Sequence, residues 1–140
     1  MRHPQIVVYE TDGYLAAQVG DLARENGWIV RESRRPETCA AFLSEARPAL
    51  LLLKLERQLI DELTLLAHLN ATVPDCPVIA FSDVKLENAA QRTNLAGLVY
   101  DLGARYIMFP PLTRHVIEDI VTGLMEATIQ RLQLICSTIS

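Results

Sequence analysis

The chain has 140 residues, close to the commonest size for one compact domain and too short for two ordinary ones. Thirteen Lys and Arg against seventeen Asp and Glu leave a formal net charge of −4, and no basic cluster is longer than Arg34-Arg35, so gripping nucleic-acid phosphates by charge alone is disfavoured. Half the residues are apolar, which suits a filled core and argues against disorder.

Met1-Arg2-His3-Pro4 lacks the apolar stretch of a secretory leader. Ile6-Val7-Val8-Tyr9 then reads as a first strand that breaks at Glu10-Thr11-Asp12-Gly13. Leu15, Val19 and Leu22 recur at helical spacing, Thr11 or Asp12 offers a cap, and Gly27 stops the helix. Trp28-Ile29-Val30 reads as a second strand. Pro36 suits the first turn of a helix whose buried stripe is Cys39, Phe42, Leu43 and Ala46, ended by Pro48. Ala49-Leu50-Leu51-Leu52-Leu53 does not alternate. A continuous apolar run between Pro48 and the charge of Lys54 fits a central parallel strand covered on both faces, and it is far too short to cross a bilayer. Leu59, Leu63, Leu66 and Leu69 mark a third helix ending near Asn70, and Pro77-Val78-Ile79-Ala80-Phe81 a fourth strand. Helical spacing from about Val84 to Leu102, with Leu86, Ala89, Ala90, Leu95 and Leu98, precedes Gly103. Arg105-Tyr106-Ile107-Met108-Phe109 reads as a fifth strand. After Pro110-Pro111 a helix from about Arg114 to Cys136 carries Val116, Ile117, Ile120, Val121, Leu124 and Met125.

Five strands alternating with five helices imply a doubly wound α/β domain with one parallel sheet, because parallel neighbours need helical crossovers. The whole of 1–140 reads as this one domain, with 126–140 a helical extension toward an output domain or a partner. Functional groups in such a sheet gather beyond the carboxyl ends of the strands, where strand order reverses. That rule selects Tyr9-Glu10-Thr11-Asp12, Arg31-Glu32-Ser33, Lys54-Leu55-Glu56, Ser82-Asp83 and Phe109-Pro110-Pro111.

With Ile6-Val7-Val8, Pro48 to Leu53, Pro77 to Ser82 and Gly103-Ala104 as landmarks, the run from about Gln5 to Leu132 resembles the receiver domain of bacterial response regulators. The resemblance implies an acidic pair after the first strand, a phospho-accepting Asp after the third, a hydroxyl after the fourth and a Lys-Pro after the fifth. Here those positions fall on Tyr9 and Glu10, on Lys54, on Ser82 and on Pro110-Pro111. Only Glu10 and Ser82 keep chemistry of the expected type, and the segment between Ser82 and Gly103 is about five residues longer than the family pattern. A working receiver gathers three carboxylates and one ammonium to hold Mg²⁺ and a phosphoryl group. This degenerate pocket would hold one carboxylate and one ammonium. An ammonium has no acceptor and cannot attack phosphorus while protonated. The sequence therefore predicts a pseudo-receiver without the aspartyl-phosphate switch, without cofactor or metal, its cleft locked by a Glu10–Lys54 pair and aided by Asp12 or Asp83.

Other readings of the same residues stand beside that one. Lys54 as a desolvated, Schiff-base-forming amine or Ser82 as a nucleophile would make an enzyme, but no partner base is evident, so no enzymatic activity is expected. Glu10, Asp12 and Asp83 would make a reduced cation site, and Tyr9, Leu55 and Phe109 the walls of a small-ligand pocket in a receiver-like sensor. His3, His68 and His115 lie on separate elements. Cys39, Cys76 and Cys136 lack a Cys-x-x-Cys pair and read as reduced thiols of a cytoplasmic protein. No spaced glycines follow the first strand, which disfavours a dinucleotide. Receivers of this kind pair through the face of helix 4, strand 5 and helix 5. That resemblance puts a surface for a signalling partner, or for a second copy, on Arg92, Tyr106, Arg114, Glu118 and Asp119. Two-component signal transduction through protein–protein contact, with no membrane and no direct nucleic-acid binding, is the function expected.

Overall fold

The computed structural model describes residues 2–56, 59–82 and 88–139, with side chains through Ile135. The strands are β1 (Gln5–Tyr9), β2 (Ile29–Ser33), β3 (Ala49–Leu55), β4 (Val78–Ser82) and β5 (Tyr106–Met108). They alternate with α1 (Tyr14–Asn26), α2 (Pro36–Leu43), α3 (Leu59–Thr72), α4 (Ala89–Asp101) and α5 (Arg114–Ile139). All the pairings are parallel, in the order β2-β1-β3-β4-β5. The reversal of strand order falls between β1 and β3, where Tyr9 pairs with Leu53 and the chain continues into Glu10 on one side and Lys54 on the other.

The leucine run is explained by two cores. Leu50 and Leu52 join Ile6, Val8, Ile79 and Phe81 beneath α1 and α5, whose Leu15, Val19, Ile117, Val121 and Met125 close that face. Leu51, Leu53 and Leu55 join Val7, Tyr9, Val78 and Ala80 beneath α2, α3 and α4, which supply Cys39, Leu43, Leu65, Leu66, Leu69, Leu95 and Val99. A strand sandwiched in this way has no polar face, so period-2 alternation disappears from its sequence.

Several predicted boundaries shift. Trp28 precedes β2 and packs on the α1–α5 core instead. Helix α2 stops at Leu43, before Ala46, and β5 is shorter than the run 105–109. Helix α4 starts at Ala89, capped by Asn88, whose side chain accepts from the Gln91 N–H at 2.9 Å. Asp83, Val84 and Leu86 lie outside the described residues. Helix α1 is framed by Gly13 (φ 76°) and Gly27 (φ 72°), both left-handed, a conformation glycine adopts without a Cβ penalty. No described helix is long and apolar enough to cross a membrane.

Candidate functional site at the carboxyl edge of the sheet

Glu10 leaves the end of β1 almost fully buried. Its carboxylate does not reach for a cation but turns into the amino end of α1. Oε1 accepts the Leu15 N–H at 2.8 Å and Oε2 the Ala16 N–H at 3.0 Å. Asp12 Oδ1 accepts the Tyr14 N–H at 3.1 Å, so two acidic side chains satisfy three successive donors that a helix start leaves unpaired. The left-handed turn at Gly13 folds the loop back far enough for both to do this. Burial pushes the Glu10 carboxyl above its ordinary range, the two backbone N–H groups oppose that rise, and neighbouring Asp12 adds to it.

Lys54, on the next strand, is buried, and its Nζ lies 2.7 Å from Asp12 Oδ2. This corrects the expected Glu10–Lys54 pair. Both Glu10 oxygens are occupied by α1, while the 10–13 loop carries Asp12 over the end of β3. Lys54 draws the Asp12 carboxyl below its ordinary range, although the Asp12 side chain is 54% exposed. The Tyr14 ring stands 5.7 Å from the ammonium, within cation–π reach. On the other side of the loop, Glu56 Oε1 accepts both the Thr11 N–H (3.1 Å) and the Thr11 hydroxyl (2.9 Å), tying the loop to the end of β3.

Lys54 stands between two clefts. One, of about 270 Å³, is lined by Asp12, Tyr14, Lys54, Phe81, Ser82 and Pro110, so three of the five predicted pocket residues meet there. The other, of about 290 Å³, takes Tyr9 and Glu10 beside Glu56 and Glu62. Ser82 is buried at the end of β4, in register with Leu55, and the Pro110-Pro111 bond is cis. The expected apolar lining of a single pocket is redistributed. Leu55 points into the α2–α4 core because strand alternation puts it opposite Lys54, and Tyr14, Phe81 and Leu112 line the first cleft instead. Among the described residues no group of three His, Cys, Asp or Glu is placed to hold a metal, and Asp83 lies outside them. His3, His68 and His115 are each exposed. Cys39 and Cys76 are free thiols, each pushed up to about 12 by burial and so poor nucleophiles.

The predicted interaction residues divide. Arg92 lies 5.4 Å from the Phe109 ring beside β5, Tyr106 is 43% exposed on β5, and Glu118 and Asp119 are half-buried and exposed on α5. Arg114 turns the other way, donating to the Ala17 carbonyl at 3.3 Å and approaching Asp21 at 3.6 Å. It belongs to the α1 side, because the first turn of α5 crosses α1 there.

No family model matches the sequence, and no curated protein matches it. The fold is nevertheless that of known receivers. A response regulator from Thermotoga maritima superposes with a TM-score of 0.71 at 16% identity, covering 89% of this chain and 99% of that one. The receiver domain of a Francisella response regulator gives 0.66 at 19%, covering 90% and 99%. NtrX from Brucella abortus gives 0.69 at 19%, covering 96% of this chain but only 28% of the longer protein. The chain therefore has the receiver fold, a five-stranded doubly wound α/β sheet. At these identities the likeness extends to the fold alone.

Proposed function

We propose that this chain is a cytoplasmic pseudo-receiver, a signalling module of the two-component type that works by protein–protein contact without aspartyl phosphorylation and without enzymatic activity. The observation that carries this reading is the buried ammonium of Lys54 at the end of β3, 2.7 Å from Asp12. A positive charge occupies the position where the receiver pattern calls for a phospho-accepting carboxylate. Both oxygens of the Glu10 carboxylate are committed to backbone N–H groups of α1, which makes it a poor ligand for a strongly hydrated dication.

What then does the signalling is a surface. Exposed apolar side chains stand on three consecutive elements: Leu98 and Tyr100 on α4, Tyr106 on β5 and Val116 on α5. With Arg92, Glu118 and Asp119 they form the face we assign to a partner protein, and Arg114 is not part of it. A second copy of this chain is the simplest such partner. A second reading, a receiver-like sensor with a small ligand or residual cation in the 270 Å³ cleft, is favoured by the exposed Asp12 carboxylate on the cleft's rim.

Beryllofluoride and acetyl phosphate, each with Mg²⁺, separate these readings. The pseudo-receiver gives no added phosphoryl mass and no amide shifts near Lys54. A stable adduct at this cleft overturns the proposal, and saturable shifts with Mg²⁺ alone favour the second reading.

A further inference from the structure

The opposite edge of the sheet carries a second cluster of charge. Glu45, in the turn after α2, is approached by three guanidinium groups. Arg2 Nη2 lies 3.4 Å and Arg47 Nη2 3.3 Å from its Oε1, and Arg31 bonds its Oε2. One carboxylate thus faces three cations. Arg47 is the most enclosed of them, with only 6% of its side chain exposed. Its Nη1 donates to the His3 carbonyl at 3.3 Å, yet its Nε is buried with no acceptor among the described residues. A buried donor left without an acceptor is uncommon, and it favours an outside acceptor nearby.

Arg47 lines a cleft of about 280 Å³ between the loop after α3 and the far half of α5. Arg131, on α5, borders the same cleft and is held there by donating to the Asp75 carbonyl at 2.6 Å. The remaining walls are mostly apolar, among them Val73, Pro74, Leu132 and Ile135, with Thr72, Asp75 and Thr128 as polar exceptions. The extension of α5 past the core therefore roofs a cleft that two arginines border and whose other walls are mostly hydrocarbon. Cationic donors beside apolar walls match an anion with an apolar body. Asp75, an acidic residue of the same lining, works against a doubly charged phosphate.

We propose that this amino-edge cleft binds a small monocarboxylate with an apolar tail, its carboxylate received by Arg47 and Arg131. The site is independent of the pseudo-receiver reading, since it shares no residue with Lys54 or its neighbours.

Octanoate is the probe, added to the full chain labelled with ¹⁵N. Saturable amide shifts are expected at Val73 to Cys76 and Arg131 to Ile135, with none near Lys54. Octanol, which has the tail without the charge, should bind about tenfold more weakly or worse, and Arg131→Gln should raise the half-saturating octanoate concentration about tenfold. Arg47→Lys should do the same. Because Arg131 sits on the rim, the Gln variant keeps the test decisive even if the Arg47 variant does not fold. Non-saturating shifts, equal binding of octanol, an unchanged affinity in Arg131→Gln, or tighter saturation of these residues by inorganic phosphate would each overturn the proposal.

Discussion

The two ends of the sheet handle charge in opposite ways. At the carboxyl edge the acidic groups nearest Lys54 are used inside the fold, while Glu62 beside them buries Oε2 with no donor among the described residues. Glu10 and Asp12 satisfy the start of α1, and Asp12 also meets Lys54. At the amino edge Glu45 is shared by three arginines, and Arg47 keeps a buried donor without an acceptor among the described residues. The edge where receiver folds hold their chemistry pairs Lys54 with Asp12 and keeps an acidic excess around Glu62, and the edge usually left to packing carries a surplus of guanidinium groups. Position in a fold thus marks where a site is geometrically convenient, while charge bookkeeping marks where one is still open to an outside group.

The strongest way to break this contrast is to reverse the charge of the one cation paired at the carboxyl edge among the described residues. Lys54→Asp places a third carboxylate beside Glu10 and Asp12, and the loss of stability at neutral pH should be about 3 kcal/mol. About 1 kcal/mol of it should return in millimolar Mg²⁺, as mass action on a newly created cation site requires. Lys54→Met removes the ammonium but leaves Asp12 half in water and still bonded to Tyr14, so its cost should stay within about 1 kcal/mol. Urea midpoints with and without Mg²⁺ measure both. A Lys54→Asp variant as stable as the parent and indifferent to Mg²⁺ would show that the cleft is not electrostatically closed.

At the other end, Glu45→Gln leaves the guanidinium groups facing one another and should cost about 1 to 2 kcal/mol. Added sulfate should offset part of that loss, whereas sulfate should do nothing for Lys54→Met. Equal sulfate responses in the two variants would erase the distinction between the edges.

The smallest effect is a pH dependence. Cys76 borders the amino-edge cleft, and its thiol rises from 9.0 to about 12 on burial. A raised folded value means that the unfolded chain gives up its proton first. The stability contributed is therefore complete below pH 9 and is lost as pH climbs from there toward 12. At pH 9 the share due to Cys76 should be about 0.4 kcal/mol, read as a flatter alkaline limb in Cys76→Ala. A variant whose alkaline slope matches the parent's would place that thiol in contact with solvent.

How much of this was legible in the sequence depends on how local each feature is. The run Ala49 to Leu53 announced a central strand because burial on two faces erases alternation, and the pairing in the structure agrees. Lys54 stood out because it ends that run. Its partner, Asp12, was legible only as a secondary aid to Glu10, because the choice between the two turns on the left-handed Gly13, whose φ of 76° redirects the loop. Thr11-Asp12-Gly13 beside an aromatic Tyr14 was the available hint. The Glu45 cluster was missed entirely, since Arg2, Arg31, Glu45 and Arg47 come from separate segments and no spacing unites them. A guanidinium directly before Pro48 and a fully apolar strand was the one local sign that a charge would be enclosed. Helix α4 began later than its periodicity suggested because Asn88 caps it, a competition between side-chain capping and helix propagation that periodicity does not register.

Helix α5 runs from Arg114 to Ile139, while its last buried side chain among the described residues is Thr128. Beyond that point its backbone continues for about 16 Å, at 1.5 Å per residue, tied to the body by Ile129 on the core and by Arg131 at the Asp75 carbonyl. A rod gripped mainly along one half magnifies at its tip whatever tilts the grip. A tilt of about 10° where Met125 and Val121 grip the sheet would swing the tip by roughly 3 Å, several times the displacement at the grip itself. Small changes of packing beneath the first turns would thus emerge as a readable movement at the far end, without any new chemistry in between.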